Sequence, residues 1–123
     1  MTADGLTAVS PGQRAALAQW LTHIRALDGA ATRTVAAYGA DVARYLDFLA
    51  RHRNAPEGTA ALLSVPQADL RAWMAHERAR GLGPRSLARA LSAVKGFTGW
   101  LAEREGIDAT PVLSARGPGF PRG

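Results

Sequence analysis

The sequence predicts an all-α domain, a bundle of four main helices near residues 11–27, 32–53, 66–80 and 84–105. Apolar residues recur at helical spacing in each of these segments. Serine, proline and glycine residues stand at their ends, where they serve as start and stop signals. No segment carries the pattern typical of a β-strand, so no sheet is expected.

Length and composition narrow the class of protein further. The 123 residues, 47% hydrophobic and 20% charged, suit one domain with one core. No apolar run has the ~20 residues of a membrane span, and residues 1–11 lack the pattern of a signal peptide, so we expect a cytoplasmic protein with no membrane contact. The chain has no cysteine, no glycine-rich nucleotide loop and no zinc motif, so we assign no cofactor, no metal and no catalytic residue.

The first two helices have clear starts. Residues 1–9 form a predicted flexible N-terminus, and Ser10 to Gln13 read as a capping box with proline at the first helical position. In the first turn of the second helix, Thr34 and the neighbouring Arg33 are candidates to hold a phosphate, although simple local capping by Thr34 is an equal alternative. Asp41 and Asp47 are interpreted as surface or salt-bridging carboxylates.

The third and fourth helices meet at a tight corner. Ser64 to Gln67 repeats the start signal, and Gly81 is suited to end the third helix shortly before Pro84 begins the fourth. One stripe of the fourth helix is apolar and should be buried: Leu87, Leu91, Val94, Thr98 and Leu101, with Ala90 and Phe97 beside it.

The opposite face of the fourth helix has no acidic residue between Pro84 and Leu101. It presents Arg85, Arg89, Ser92, Gly96 and Gly99, with Lys95 at its margin. Solvated helix faces mix charge signs, so this face favours an anionic partner, and its small residues would allow close approach. A second helix packed on the small residues is the alternative.

The distribution of charge supports the first interpretation. The net charge is +5, with 14 arginines and a single lysine. Residues 1–63 hold six basic and five acidic side chains, whereas residues 64–123 hold nine and five. The positive surplus therefore lies around the fourth helix, as a nucleic-acid partner would require.

Two motifs together resemble the N-terminal, SAM-like core-binding domain of tyrosine recombinases of the phage integrase class, most closely those of the XerC and XerD type. The second helix matches the pattern T-x-x-x-Y-x-x-D-[LV]-x-x-[FY]-x-x-F-L through Thr34, Tyr38, Asp41, Val42, Tyr45, Phe48 and Leu49. The fourth helix matches through GLGPRSLARALSAVKGFTGWL. The similarity covers about residues 12–107.

The resemblance implies a four-helix SAM-like bundle that forms one half of a clamp on duplex DNA. Its fourth helix would enter the major groove, with Arg85, Ser86, Arg89, Ser92 and Lys95 facing DNA, while Arg33 and Thr34 would hold a phosphate. The expected partners are a double-stranded recombination site, the protein's own C-terminal catalytic domain and a second recombinase subunit. The expected function of such a protein is chromosome dimer resolution or integration.

The same resemblance places the catalytic tyrosine and an H-x-x-R pair in the C-terminal domain. This sequence contains no H-x-x-R, so the chain is expected to be inert alone although its parent would be a site-specific recombinase. Residues 10–107 are the predicted DNA-binding domain and residues 108–123, rich in proline and glycine, a linker to a missing catalytic domain. A helical protein-interaction module with an incidental basic face is the alternative function.

Overall fold

The computed structural model describes residues 9–28, 31–52 and 58–114 and contains four long helices and two single-turn helices. They are α1 (Pro11–Asp28), α2 (Thr32–His52), α3 (Ala60–Leu63), α4 (Gln67–Ala79), α5 (Pro84–Glu105) and α6 (Thr110–Leu113). The predicted all-α class is confirmed, and each predicted main helix ends within one residue of its observed bounds. Across the described ranges, no helix is both long and apolar enough to span a bilayer.

Helix α5 lies at the centre of the bundle and contacts every other helix. All seven residues of its predicted apolar side are buried. Aromatic rings fill the space on both sides of it: Trp20 of α1 meets Phe97 edge-on at 5.7 Å, and Tyr45 of α2 meets Trp73 of α4 edge-on at 5.1 Å. Edge-to-face rings add to the stabilisation from apolar burial, so these contacts fix α1, α2 and α4 around α5.

The start of α1 is tied to the segment before α3. The Ser10 hydroxyl accepts a hydrogen bond from the Gln13 backbone N–H at 3.3 Å, as predicted for an N-cap. The Gln13 side chain, predicted to complete a capping box, is buried and donates to the Gly58 carbonyl at 2.9 Å. Val9 is also buried, which corrects its assignment to a flexible N-terminus; residues 1–8 and the Leu27 side chain lie outside the described part.

The predicted start signal of α4 has a different role. Ser64 is the C-terminal cap of α3, where its hydroxyl reaches the Ala60 and Ala61 carbonyls at 3.5 Å. Helix α4 begins at Gln67, and its capping position is Pro66, which makes no side-chain hydrogen bond. The prediction that Ser64 starts this helix is therefore wrong, because Ser64 ends the short helix α3 that precedes it.

Backbone hydrogen bonds close the corner between α4 and α5. Gly81 has φ +103°, a left-handed conformation that glycine adopts without strain. The N–H of Gly81 donates to the Arg78 carbonyl and that of Leu82 to the Glu77 carbonyl, at 2.9 and 3.1 Å. This pairing is the Schellman arrangement expected of a C-terminal glycine, and it fixes the start of α5 against the end of α4.

Part of the predicted linker belongs to the bundle. The Asp108 carboxylate, one residue before the N-cap Ala109, accepts a hydrogen bond from the Thr110 N–H at 3.0 Å at the start of α6. Ala109 and Val112 are buried, and α6 packs on α4 and α5. Residues 108–114 are thus a packed turn, because two small apolar side chains suffice to anchor it; residues 115–123 lie outside the described part.

Candidate nucleic-acid interface

The first turn of α2 and the middle of α5 share a surface concavity of about 370 Å³. It is lined by Arg33, Thr34, Ala37, Tyr38 and Arg89. The sequence predicted Arg33 and Thr34 of α2 and Arg89 of α5 as DNA contacts, and these three residues are neighbours in space. Thr34 and Arg89 are nevertheless 55 positions apart in the sequence. The fold brings them together because α2 packs more extensively on α5 than any other helix does.

Arg33 and Thr34 suit an anion at this position. Both side chains are exposed and lie in the first turn of α2. The first N–H groups of a helix lack partners within the helix and lie at the positive end of its dipole. A hydroxyl, a guanidinium group and these N–H groups together form a surface that can bind a phosphate oxygen.

Arg89 is held by a carboxylate from α2. Its Nε donates to Asp41 Oδ2 at 2.8 Å and its Nη2 donates to Asp41 Oδ1 at 2.9 Å. The Asp41 side chain is fully buried, whereas the Arg89 side chain is 42% exposed. The hydrogen bonds that Arg89 donates to Asp41 raise the pKa of the Arg89 guanidinium above its ordinary value, against the opposing effect of burial. Asp41 is therefore salt-bridging as predicted but not at the surface.

The pair is one end of a chain of alternating charges. Arg44 donates to Asp41 Oδ1 at 3.1 Å and lies 3.4 Å from Glu77 Oε1, which also accepts from Arg80 at 3.0 Å. Both carboxylates are buried, while Arg44 and Arg80 are 38% and 40% exposed. Two buried acids thus hold three arginines at the surface of α2, α4 and α5.

The remaining predicted contacts lie along the outward side of α5. Arg85 and Ser92 are exposed, and Ser86 and Lys95 are half-buried. None of these four lines the concavity; they extend from it along the helix. Together with Arg89 they place two arginines, one lysine and two hydroxyls on a helix side without an acidic residue.

The glycines of this side face other parts of the bundle. A Cβ atom on Gly96 would lie 3.4 Å from the Trp20 ring, and one on Gly99 would lie 3.7 Å from Leu113 Cδ2 of α6. Gly99 therefore allows a helix of the same chain to pack closely, which was the alternative considered for the small residues. Gly96 is nevertheless exposed, so the side of α5 left open to a partner extends from Arg85 to Gly96.

A second group of polar and aromatic side chains lies on α2 and α4. His52 Nε2 lies 3.3 Å from Asp69 Oδ1, and the ring of Phe48 lies between those of His52 and His76 at 4.9 and 5.2 Å. Within the described ranges, no group of three or more histidine or acidic side chains could hold a metal ion.

The motifs and the helix order indicate a recombinase domain, and comparison with known families tests this. Residues 17–105 match the family described as phage integrase, N-terminal SAM-like domain. The chain belongs to this family. The SAM-like bundle predicted from the two motifs is thereby confirmed.

Several curated relatives of this phage integrase domain carry the name tyrosine recombinase XerC. The protein from Methylobacterium nodulans is 42% identical over 106 residues, which cover 86% of this chain and 32% of the relative. Those from Rhodospirillum centenum and Nitrobacter winogradskyi are 38% and 36% identical and cover 78% and 80% of this chain, but only 27% and 30% of the relatives. The chain thus spans about a third of their length. No solved structure matches it significantly.

Proposed function

We propose that this chain binds duplex DNA sequence-specifically as one half of the clamp of a XerC-like tyrosine recombinase. The observation that carries the proposal is the shared concavity of α2 and α5, which unites Arg33, Thr34 and Arg89. In this arrangement α5 lies in the major groove and Arg89 contacts base edges, while the first turn of α2 holds a phosphate. Arg85, Ser86, Ser92 and Lys95 contact the DNA on either side of Arg89.

The residue types of this surface favour DNA over a small anion as the ligand. Arginine offers paired donors that match guanine O6 and N7, and the outward side of α5 carries Arg85, Arg89 and Lys95 without an acidic residue. Phosphates at regular spacing along a duplex can meet several such groups at once. A small anion would meet only one of them.

In the proposed protein, the helical bundle is the DNA-binding domain, which adds Val9 and α6 to the predicted residues 10–107. The chain after α6 leads to a catalytic domain that supplies the tyrosine nucleophile. The partners are a double-stranded recombination site, that catalytic domain and a second recombinase subunit. Such a protein works on chromosomal or integrating DNA in the cytoplasm. The names of the curated relatives support this assignment.

The test begins with selection from a random-sequence duplex library by the 123-residue chain. Affinity for the selected duplex and for a scrambled duplex is then measured by fluorescence anisotropy over a series of salt concentrations. We expect preference for the selected duplex and a steep linear fall of log affinity with log salt, because phosphate contacts release counterions. Equal, salt-insensitive affinity for both duplexes would overturn the proposal and favour the protein-interaction module.

The chain alone should neither cleave DNA nor capture it covalently. Tyr45 is fully buried and Tyr38 is half-buried, with its ring stacked on that of Trp20 at 6.3 Å. Both tyrosines are therefore packing residues. A phosphotyrosine adduct formed with a nicked selected duplex, detected as a denaturant-resistant band, would contradict this expectation.

A further inference from the structure

We propose that Asp41 is a positioning residue for DNA recognition, acting through Arg89. The inference rests on the proposed function and adds a residue that the sequence predicted only as a surface or salt-bridging carboxylate. Asp41 would fix the Arg89 guanidinium so that its outer edge faces the DNA. The residue itself would touch no base and no phosphate, because its side chain is fully buried.

The geometry determines which donors remain. A guanidinium group has five N–H donors, on Nε, Nη1 and Nη2. Asp41 engages Nε and one hydrogen of Nη2, which are the donors along the side edge. Both hydrogens of Nη1 and the second hydrogen of Nη2 are not used by Asp41. The outer edge carries one hydrogen of Nη1 and the second hydrogen of Nη2, and this pair can bind guanine or a phosphate in bidentate fashion.

Stability alone is a poor explanation for this arrangement. Removing a carboxylate from water costs more than a salt bridge usually returns, and apolar residues of similar volume often stabilise such positions better. Asp41 also meets Arg44, so its carboxylate is held from two sides and cannot follow Arg89 if that side chain turns. A fixed carboxylate restricts Arg89 to one orientation and reduces the conformational freedom that Arg89 must lose when it binds DNA.

The chain contains a matched control on the same helix. Arg51 Nε donates to both oxygens of Asp47 at 3.1 and 3.0 Å, so the residue types and distances resemble those of the Asp41–Arg89 pair. That pair joins residues one turn apart, however, and the Asp47 side chain is 27% exposed. It does not connect α2 to α5. Loss of the Asp47 carboxylate should leave DNA binding unchanged.

The experiment compares Asp41→Asn, Arg89→Ala, the double variant and Asp47→Asn on the selected and scrambled duplexes. Asp41→Asn should lower the affinity for the selected duplex by roughly fivefold to a hundredfold, the range of one lost bidentate base contact, and affect the scrambled duplex much less. In the Arg89→Ala background the same change should have no further effect on affinity. Asp47→Asn should behave as the unaltered chain.

A readout without DNA accompanies these measurements. In the free chain, the Arg89 Nε–H should give a protected amide-like signal by ¹⁵N-resolved NMR, and Asp41→Asn should remove that protection. Urea unfolding of each variant separates loss of fold from loss of orientation. If Asp41→Asn does not fold, Asp41→Glu takes its place, since it keeps the charge and moves the carboxylate by one methylene.

The outcomes are distinguishable. An equal loss of affinity from Asp41→Asn in the presence and absence of Arg89 would show a merely structural role and overturn the inference. So would a loss from Arg89→Ala that neither Asp41 variant reproduces. Failure of the unaltered chain to bind any selected duplex would instead overturn the proposed function itself.

Discussion

The two sides of helix α5 differ in burial and in the residues that hold them in place. The inward side, which includes Leu91 and Val94, is buried among the other helices. The outward side, which includes Arg85 and Ser92, is exposed, and Arg89 in its middle is held by a residue of another helix. Burial of the first side needs only apolar groups at the right spacing, whereas the second depends on a partner 48 positions away. The comparison shows that the apolar side of this helix can be predicted from its own sequence, whereas the arrangement of its outward side cannot.

Leu91→Ala should have the largest effect of any change considered for α5. Leu91 is 4% exposed, so its truncation removes buried apolar contacts and leaves a cavity. We expect the free energy of unfolding to fall by ~2–5 kcal/mol, measured by urea denaturation. Ser92→Ala, one residue further and on the outward side, is the control and should change stability by less than about 0.5 kcal/mol. Equal effects of the two changes would mean that the sides are wrongly assigned.

Arg89→Lys tests whether the outward side works through charge or through geometry. Lysine keeps the positive charge, but its ammonium group lacks the planar set of donors with which arginine can bind Asp41 on one edge and a base on the other. Binding to the selected duplex should weaken by ~1–3 kcal/mol, while binding to the scrambled duplex stays nearly constant. Arg85→Lys is the comparison, because no carboxylate contact of Arg85 is found in the described residues. A uniform loss on both duplexes from Arg89→Lys would argue for charge alone.

Lys95→Ala should have a smaller and less selective effect. Lys95 lies at the margin of the outward side and is half-buried. We expect it to contact a phosphate rather than a base, because residues at the edges of a groove-bound helix meet the backbone first. Affinity for the selected and scrambled duplexes should fall alike, and the slope of log affinity against log salt should decrease by about 1. If the selected duplex alone is affected, Lys95 contacts a base.

Gly99→Ala should have the smallest effect and the opposite sign. The added Cβ would make an ordinary contact with Leu113 at 3.7 Å, and alanine favours a helix over glycine. The free energy of unfolding should rise by about 0.5–1 kcal/mol with DNA affinity unchanged. Gly96→Ala is a second change of the same kind for comparison. Its added Cβ would lie 3.4 Å from the Trp20 ring, closer than an added Cβ at position 99 would lie to Leu113. A loss of DNA affinity from Gly99→Ala would show that DNA approaches the helix there.

Sequence was sufficient for the helices because their signals are local. Ser10, Gly81 and Gly106 each mark an end by a conformation or hydrogen bond involving only a few neighbouring residues. Helix α6 was missed because two prolines and a glycine-rich tail dominate the composition around it. Its two buried residues, Ala109 and Val112, are too few to form a periodic pattern.

The candidate site was only partly predictable. Arg33, Thr34 and Arg89 could be named from motif and charge, but their meeting in one concavity follows from the packing of α2 on α5. The buried acids were harder to interpret, since helical spacing reveals only partners on the same helix. Glu77 did carry a signal, because it falls on the apolar side of its helix beside Trp73, where an ion pair is the usual reason for an acid.

Asp41 shares its carboxylate between Arg44 and Arg89, and this sharing affects how the surface could change during evolution. Replacing Arg89 by an uncharged residue would leave a buried charge with Arg44 as its remaining arginine, and that arginine is also the neighbour of Glu77. A change at position 89 therefore disturbs α2 and α4 as well as α5. If Arg89 contacts bases as proposed, new base preferences at this position should arise through paired substitutions at positions 41 and 89, inherited together, more readily than through single ones.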